Sequence, residues 1–83
     1  MFCFSVFVWL KEKPKIKDLV GFGKHLRALR ESKGISQETL GLNIGSYQST
    51  IIRIEQGKSN PKLMTLIEIS KSLKIPLKDL FDF

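Results

Sequence analysis

Three polar side chains that lie close together in the chain, Gln48, Ser49 and Arg53, could recognise another molecule. Glutamine can form two hydrogen bonds with adenine and arginine can do so with guanine, while serine can bond to several base edges. These residues are predicted to project from a short helix that ends at Gly57. They are therefore candidate base-reading residues of a DNA-binding surface; the alternative is that they face only solvent.

The isoleucines of the same stretch favour a partner surface over solvent. Ile51 and Ile54 are predicted to hold the helix on the domain, whereas Ile52 projects outward with the polar residues. A single exposed isoleucine is tolerable, but an apolar side chain can also contact the methyl group of thymine. Ile52 therefore joins the candidate base-reading residues.

No catalytic or metal-binding pattern is recognisable in the sequence. The chain has one cysteine, Cys3, and one histidine, His25, so it can form neither an intramolecular disulfide nor a zinc site built from cysteines. The stretch GFGK at 21–24 lacks the spacing and the following Ser or Thr of a phosphate-binding loop. We therefore expect no enzyme activity, no cofactor and no small-molecule substrate.

The composition and charge are those of a small basic globular domain. The chain has 83 residues, of which 42% are hydrophobic and 27% charged, and a formal net charge of +6. A chain of this length forms one domain, and such an excess of positive charge favours a polyanionic partner. A nucleic acid is the expected partner, with an anionic membrane surface as the alternative. The lone cysteine is consistent with a cytoplasmic location.

The first ten residues, MFCFSVFVWL, are apolar except for Ser5. This segment is too short to span a bilayer, and it lacks the basic start and the cleavage site of a signal peptide. Its Phe and Val content favours a β-strand that pairs with another strand, for instance one of a second subunit. A poorly ordered extension and a membrane-surface segment are the alternatives. Residues 11–18 are predicted to form a charged linker, which divides the chain into an extension with its linker at 1–18 and a domain at 19–83.

The remaining sequence predicts five helices joined by short turns. Ser36 is expected to cap the second helix, and Pro61 to lie in the first turn of the fourth. Helix ends or turns are predicted at Gly34, Gly45, Gly57 and Pro76. Apolar residues at helical spacing predict the buried faces, namely Phe22, Leu26 and Leu29; Leu40 and Ile44; Ile51 and Ile54; Leu63, Leu66, Ile67, Ser70 and Leu73; and Leu77, Leu80 and Phe81.

Two glycines in the middle of the chain predict a helix-turn-helix unit. Helices that cross steeply through a short turn need a residue that tolerates positive φ in the turn, and a small residue where their backbones approach. Gly45 supplies the first and Gly41 the second. We therefore expect an all-α, compact bundle in which the third helix presents its outer face to DNA.

Three stretches, LRALRESKGISQETL, STIIRIEQGKSNP and LIEISKSLKIPLKDLF, together resemble the phage repressor/Cro-like helix-turn-helix family. The resemblance covers residues 22–81, about three quarters of the chain. It implies a five-helix repressor-like bundle, and a sequence-specific transcriptional regulator that represses by occupying an operator. It also implies a two-fold homodimer on double-stranded DNA. A protein-interaction module, such as an antitoxin that neutralises a partner protein, is the alternative function.

The resemblance also implies roles for individual residues. Gln48, Ser49 and Arg53 match base-reading positions, and Arg30 and Glu55 match an internal ion pair between the first and third helices. A second group matches, or lies beside, positions that contact the phosphate backbone or support the recognition helix: Gln37, Tyr47, Thr50, Gln56, Lys58 and Lys62.

The sequence departs from the family pattern where the third helix begins. A small apolar residue is replaced by Ser46, and a Ser or Thr cap by Tyr47. We expect Ser46 to cap the helix, with the helix start shifted by one residue. Tyr47 is then expected either to lie against phosphate or sugar, or to pack on the domain. Gly41 replaces the commoner alanine, which costs up to about 1 kcal/mol of helix stability.

Overall fold

The computed structural model describes residues 15–83, and these residues contain helices and no strand. The elements are α1 (Lys15–Ser32), α2 (Gln37–Asn43), α3 (Gln48–Glu55), α4 (Leu63–Leu73) and a C-terminal 3-10 helix, η1 (Leu77–Phe81). The predicted all-α class and the bundle of five helical segments are thus confirmed. The predicted N-terminal strand lies outside the described residues.

The predicted linker at 11–18 is wrong in its second half, because α1 already begins at Lys15. No glycine or proline follows Pro14 in this stretch, and Asp18 places a carboxylate in the first turn of the helix. A negative charge there interacts favourably with the helix dipole. The predicted boundary between residues 18 and 19 therefore falls within a helix.

The core is built from side chains that every helical segment contributes. In the part of the chain that the structure describes, eight apolar residues are buried: Phe22, Leu26, Leu40, Ile51, Ile54, Ile69, Leu73 and Leu80. Five residues whose inward orientation was predicted, Leu29, Ile44, Leu66, Ile67 and Leu77, are half-buried. The apolar periodicity of the sequence thus predicts most of the core.

Two predictions about α4 are wrong. The helix begins at Leu63 rather than at Pro61, because Lys62 is extended (φ −72°, ψ 158°) and occupies the N-cap position. Leu63 is 63% exposed, while Ile69 is fully buried. The buried stripe runs through Leu66, Ile69, Ser70 and Leu73, at i, i+3, i+4 and i+7. Since α4 carries apolar residues on two adjoining faces, the packing of its neighbours, and not its own periodicity, determines which face is buried.

The last segment also differs from the prediction. Phe81 was expected to face inward but is 49% exposed, whereas Leu80 is fully buried. The reason is the winding of η1: a 3-10 helix has three residues per turn, so Leu77 and Leu80 share a face that Phe81 leaves. Within residues 15–83, no helix is long and apolar enough to cross a membrane.

Candidate nucleic-acid interface

The turn between α2 and α3 is closed by backbone hydrogen bonds. Gly45 has φ of +71°, and its N–H donates to the Leu42 carbonyl at 3.0 Å. The next N–H, that of Ser46, donates to the Gly41 carbonyl at 2.8 Å. Such paired bonds satisfy the carbonyls at the end of α2 and turn the chain sharply. The predicted role of Gly45 is confirmed, and the cap of α2 is as predicted, since Ser36 Oγ accepts from the Thr39 N–H at 3.0 Å.

α2 and α3 approach each other most closely at Gly41. A Cβ atom added to this residue would lie 2.6 Å from both the carbonyl carbon and the carbonyl oxygen of Tyr47, and 2.9 Å from the Gln48 nitrogen. Real Cβ atoms do not approach backbone atoms so closely. Glycine at position 41 is therefore required by the spacing of these two helices, and its cost in helix propensity is offset by this close approach.

The start of α3 differs from the prediction. Tyr47 occupies the N-cap position with extended backbone angles, and its side chain makes no capping hydrogen bond. Ser46 does not cap the helix, because its hydroxyl bonds to the hydroxyl of Thr50 at 2.8 Å instead. Tyr47 is 75% exposed, so of its two predicted alternatives the one in which it packs on the domain is wrong. The phenol ring is free to meet a partner.

The outer face of α3 carries the predicted base-reading side chains. Gln48, Ser49 and Arg53 are exposed, and Ile52 beside them is half-buried. On the other side of the helix, Ile51 and Ile54 are fully buried in the core. The two sets of side chains separate cleanly, which leaves three exposed hydrogen-bonding groups on a helix that the core holds in place.

Glu55, at the end of α3, joins three elements of the fold. Its carboxylate accepts from Arg30 Nε at 2.6 Å and from Arg30 Nη2 at 3.2 Å, with both side chains more than nine-tenths buried. Gln37, the first residue of α2, donates its amide to the same carboxylate at 3.0 Å. Arg30 also donates to the Ile35 carbonyl at 2.8 Å. The structure thus brings together Arg30, Glu55 and Gln37, and ties the helix-turn-helix to α1.

The electrostatics of this cluster follow from its hydrogen bonds. The bond to Glu55 raises the pKa of the Arg30 guanidinium, against the opposing effect of burial. Arg30 therefore carries its charge throughout the pH range of ordinary solution experiments, and Glu55 always faces a buried cation.

The other residues of the predicted phosphate-contacting group surround α3 in the sequence and are unevenly exposed. Gln56, Lys58 and Lys62 are exposed, whereas Thr50 is half-buried and bonded to Ser46. Lys58 follows the end of α3, and its N–H donates to the Arg53 carbonyl at 2.9 Å. The two lysines place positive charge after the end of α3.

Gly23 also contributes to this site, although it was not among the predicted site residues. A Cβ atom added at this position of α1 would lie 2.5 Å from the Glu55 carbonyl oxygen and 2.6 Å from that of Ile54. Gly23 therefore lets the backbone of α3 approach α1 beside the Arg30–Glu55 pair. The signal was available, because a glycine inside a helix costs about 1 kcal/mol relative to alanine and calls for a packing reason.

Known proteins are similar to this chain in sequence and in the fold of the helix-turn-helix domain. The helix-turn-helix family model HTH_3 matches residues 26–80. The crystal structure of the restriction-modification controller protein C.AhdI from Aeromonas hydrophila superposes with a TM-score of 0.77 and 39% identity, covering 80% of this chain and 96% of that one. The control protein C.BamHI of Bacillus amyloliquefaciens is 40% identical over 63 residues, which are 75% of this chain and 78% of that protein.

A repressor is also among the similar proteins. The transcriptional repressor RghR of Bacillus subtilis is 40% identical over 60 residues, which are 71% of this chain and 44% of RghR. The family model covers more than half of the present chain, and the match with C.AhdI spans nearly the whole of that protein. This chain therefore belongs to the Cro/C1-type helix-turn-helix family.

Proposed function

We propose that this protein is a sequence-specific DNA-binding transcriptional regulator that represses by occupying an operator. The observation that carries the proposal is the division of α3, with Ile51 and Ile54 buried while Gln48, Ser49 and Arg53 are exposed. A helix of this kind, presented by a helix-turn-helix, enters the major groove, where base edges are most distinct. The similar proteins are named control proteins and a repressor, and their family is one of DNA-binding regulators rather than of enzymes.

Contacts outside α3 would hold this helix in register on the duplex. The exposed side chains of Tyr47, Gln56, Lys58 and Lys62 flank it, and bonds to phosphate position a protein without reading sequence. Gln37 has a supporting role in this scheme, because its amide is bonded to Glu55. The net charge of +6 adds a favourable, salt-dependent contribution to binding any duplex.

A homodimer completes the proposed mechanism. One recognition helix reads few base pairs, whereas a two-fold pair reads two half-sites about 34–36 Å apart, or one helical turn. Because the two subunits of such a dimer are related by a two-fold axis, the operator that they bind is a palindrome. A regulator of this type works where its DNA is, so we place it in the cytoplasm.

Selection of bound duplexes from a random pool at physiological salt tests the function directly. We expect enrichment of one short motif, present as an inverted repeat with centres about 10 base pairs apart. Enrichment of single half-sites would contradict the dimer but not the DNA-reading role. Failure to bind any duplex at low salt would instead favour a protein-interaction module such as an antitoxin.

Arg53→Ala is expected to relax specificity at one base pair of the operator. Loss of a bidentate contact costs about 1–3 kcal/mol of discrimination at that position. Competition binding against operators with single base changes measures this loss. Arg27→Ala, which removes the same charge from an exposed position on α1, is the control and should leave discrimination intact. An equal loss of affinity for all operators would identify Arg53 as a phosphate contact.

Lys58→Ala is expected to weaken binding to all sequences alike. Each phosphate neutralised by the protein contributes about 0.9 to the slope of log K against log salt, so the slope should become shallower by about one unit. Titration of operator and random duplexes at several salt concentrations measures the slope. Lys78→Ala removes one charge from η1, which packs on α1 and α4, and serves as the matched control. Equal slopes in the two variants would remove Lys58 from the interface.

A further inference from the structure

An apolar groove lies on the domain between the start of α1 and the C-terminal end of the chain. Its volume is about 180 Å³, and its apolar walls are formed by Leu19, Phe22, Leu66, Phe81 and Phe83. We refer to it as the C-terminal groove. The proposed DNA-binding function uses none of these five residues.

Three phenylalanine rings form an aromatic cluster in the C-terminal groove. Phe22 stacks on Phe81 with ring centroids 6.1 Å apart, and it meets Phe83 edge-to-face at 5.9 Å. Phe22 is buried, yet Phe81 and Phe83 remain 49% and 59% exposed. Full burial of an aromatic side chain removes about 150–250 Å² of surface from water, and about half of that area is still exposed on each of these two rings. Two exposed rings around one apolar groove therefore provide a binding surface for a further aromatic group.

The chain itself carries such groups in the segment that precedes α1 in the sequence. All six phenylalanines of the protein lie either in the first ten residues, at Phe2, Phe4 and Phe7, or in the aromatic cluster. The same ten residues contain the only tryptophan, Trp9. The protein thus has two aromatic sets. One lies in residues 1–10 of the sequence, and the other is the aromatic cluster that lines the C-terminal groove.

The chain between the two sets is long enough to bring them together. Leu19 lies four residues into α1, or about 6 Å along its axis. Trp9 lies six positions before Lys15, where α1 begins, and six steps along the chain can span up to about 20 Å. Trp9 can therefore turn back and reach the C-terminal groove beside the first two turns of the same helix.

Charge and tethering favour the segment of the same chain as the occupant. Lys11, Glu12 and Lys13 follow the apolar segment and together carry a net charge of +1, while two acidic residues lie at the groove: Asp18 lines it and Asp82 lies between two of its phenylalanines in the sequence. A short tether also gives an effective concentration on the order of millimolar, well above that of a second copy in dilute solution. We propose that the apolar N-terminal segment, residues 1–10, docks in the C-terminal groove of its own chain with its aromatic side chains against Phe81 and Phe83.

The fluorescence of Trp9 tests this proposal in the full chain without DNA, so the result does not depend on the proposed function. We expect a blue-shifted emission and quenching by acrylamide several-fold weaker than for a free tryptophan derivative. Both properties should remain unchanged on dilution. Phe81→Gln should restore the emission and quenching of exposed tryptophan, while Leu42→Gln, which alters another exposed apolar side chain, should not. Circular dichroism checks that both variants remain folded, and Phe83→Gln replaces Phe81→Gln if the latter unfolds.

Four results would overturn the proposal. Free accessibility of Trp9 in the unaltered chain would show that the segment is not docked. Equal shielding in Phe81→Gln, Phe83→Gln and Leu42→Gln would place the segment elsewhere on the protein. Shielding that disappears on dilution would assign the groove to a second copy, and shielding that requires anionic vesicles would assign the segment to a membrane surface.

Discussion

Arg30→Ala is expected to lower the free energy of unfolding by about 3–5 kcal/mol, because it leaves a buried carboxylate without its cation. Glu55 accepts two hydrogen bonds from Arg30, and the two side chains are only 9% and 4% exposed. Water that enters the space left by the side chain can donate hydrogen bonds to this carboxylate but cannot supply the positive charge. The Ile35 carbonyl also loses a donor. For a domain of this size, whose total stability is about 5–15 kcal/mol, this is a large fraction.

Urea unfolding measures this effect, and the chain supplies its own control. Arg27 forms an ion pair with Glu31 at 3.2 Å, but the two side chains are 64% and 55% exposed. An exposed pair contributes about 0–1 kcal/mol, so Arg27→Ala should change stability little. The midpoint of unfolding should therefore fall for Arg30→Ala alone. If Arg30→Ala unfolds at the same midpoint as the unaltered chain but no longer binds DNA, then Arg30 acts in the DNA interface, and the structural role assigned to it here is wrong.

The helical segments and most of the core could be predicted from the sequence because both depend on local patterns. Glycines and capping residues mark the turns, and apolar residues recur at helical spacing within a segment, as Phe22, Leu26 and Leu29 do in α1. Local patterns fail where two faces of a helix are equally apolar, as in α4, where Ile69 and not Leu63 is buried. That choice is made by neighbouring helices, which periodicity does not describe.

In the candidate site, too, local sequence patterns do not describe the effect of a neighbouring helix. The exposure of Gln48, Ser49 and Arg53 follows from the helical period, but the cap of α3 does not. Ser46 has the chemistry of a capping residue, yet the turn places its hydroxyl on Thr50 and gives the N-cap position to Tyr47. Whether Ser46 or Tyr47 takes the N-cap position depends on where the backbone of α3 lies relative to α2. That position depends on Gly41, where the two backbones approach most closely.

Gly41→Ala is expected to destabilise the protein by about 1–2 kcal/mol, although alanine is the better helix former by up to about 1 kcal/mol. The new Cβ atom would lie 2.6 Å from the carbonyl group of Tyr47, which belongs to the backbone and cannot rotate away. α3 must therefore move away from α2, and its first residue, Gln48, moves with it. Since each misplaced base contact costs about 1–3 kcal/mol, operator affinity should fall roughly ten- to hundredfold. Urea unfolding and operator titration of the same variant measure the two effects.

Gly21→Ala is the matched control, because the same substitution inside α1 meets a different neighbour. Its Cβ atom would lie 3.3 Å from the ring of Phe83, a partly exposed side chain that can shift by a few tenths of an ångström. Helix propensity then dominates, and stability should rise by up to about 1 kcal/mol with operator affinity unchanged. A loss of stability in Gly41→Ala together with a gain in Gly21→Ala would show that the spacing of α2 and α3 outweighs helix propensity at position 41. A gain in stability for Gly41→Ala with full operator affinity would mean that the recognition helix does not depend on that spacing.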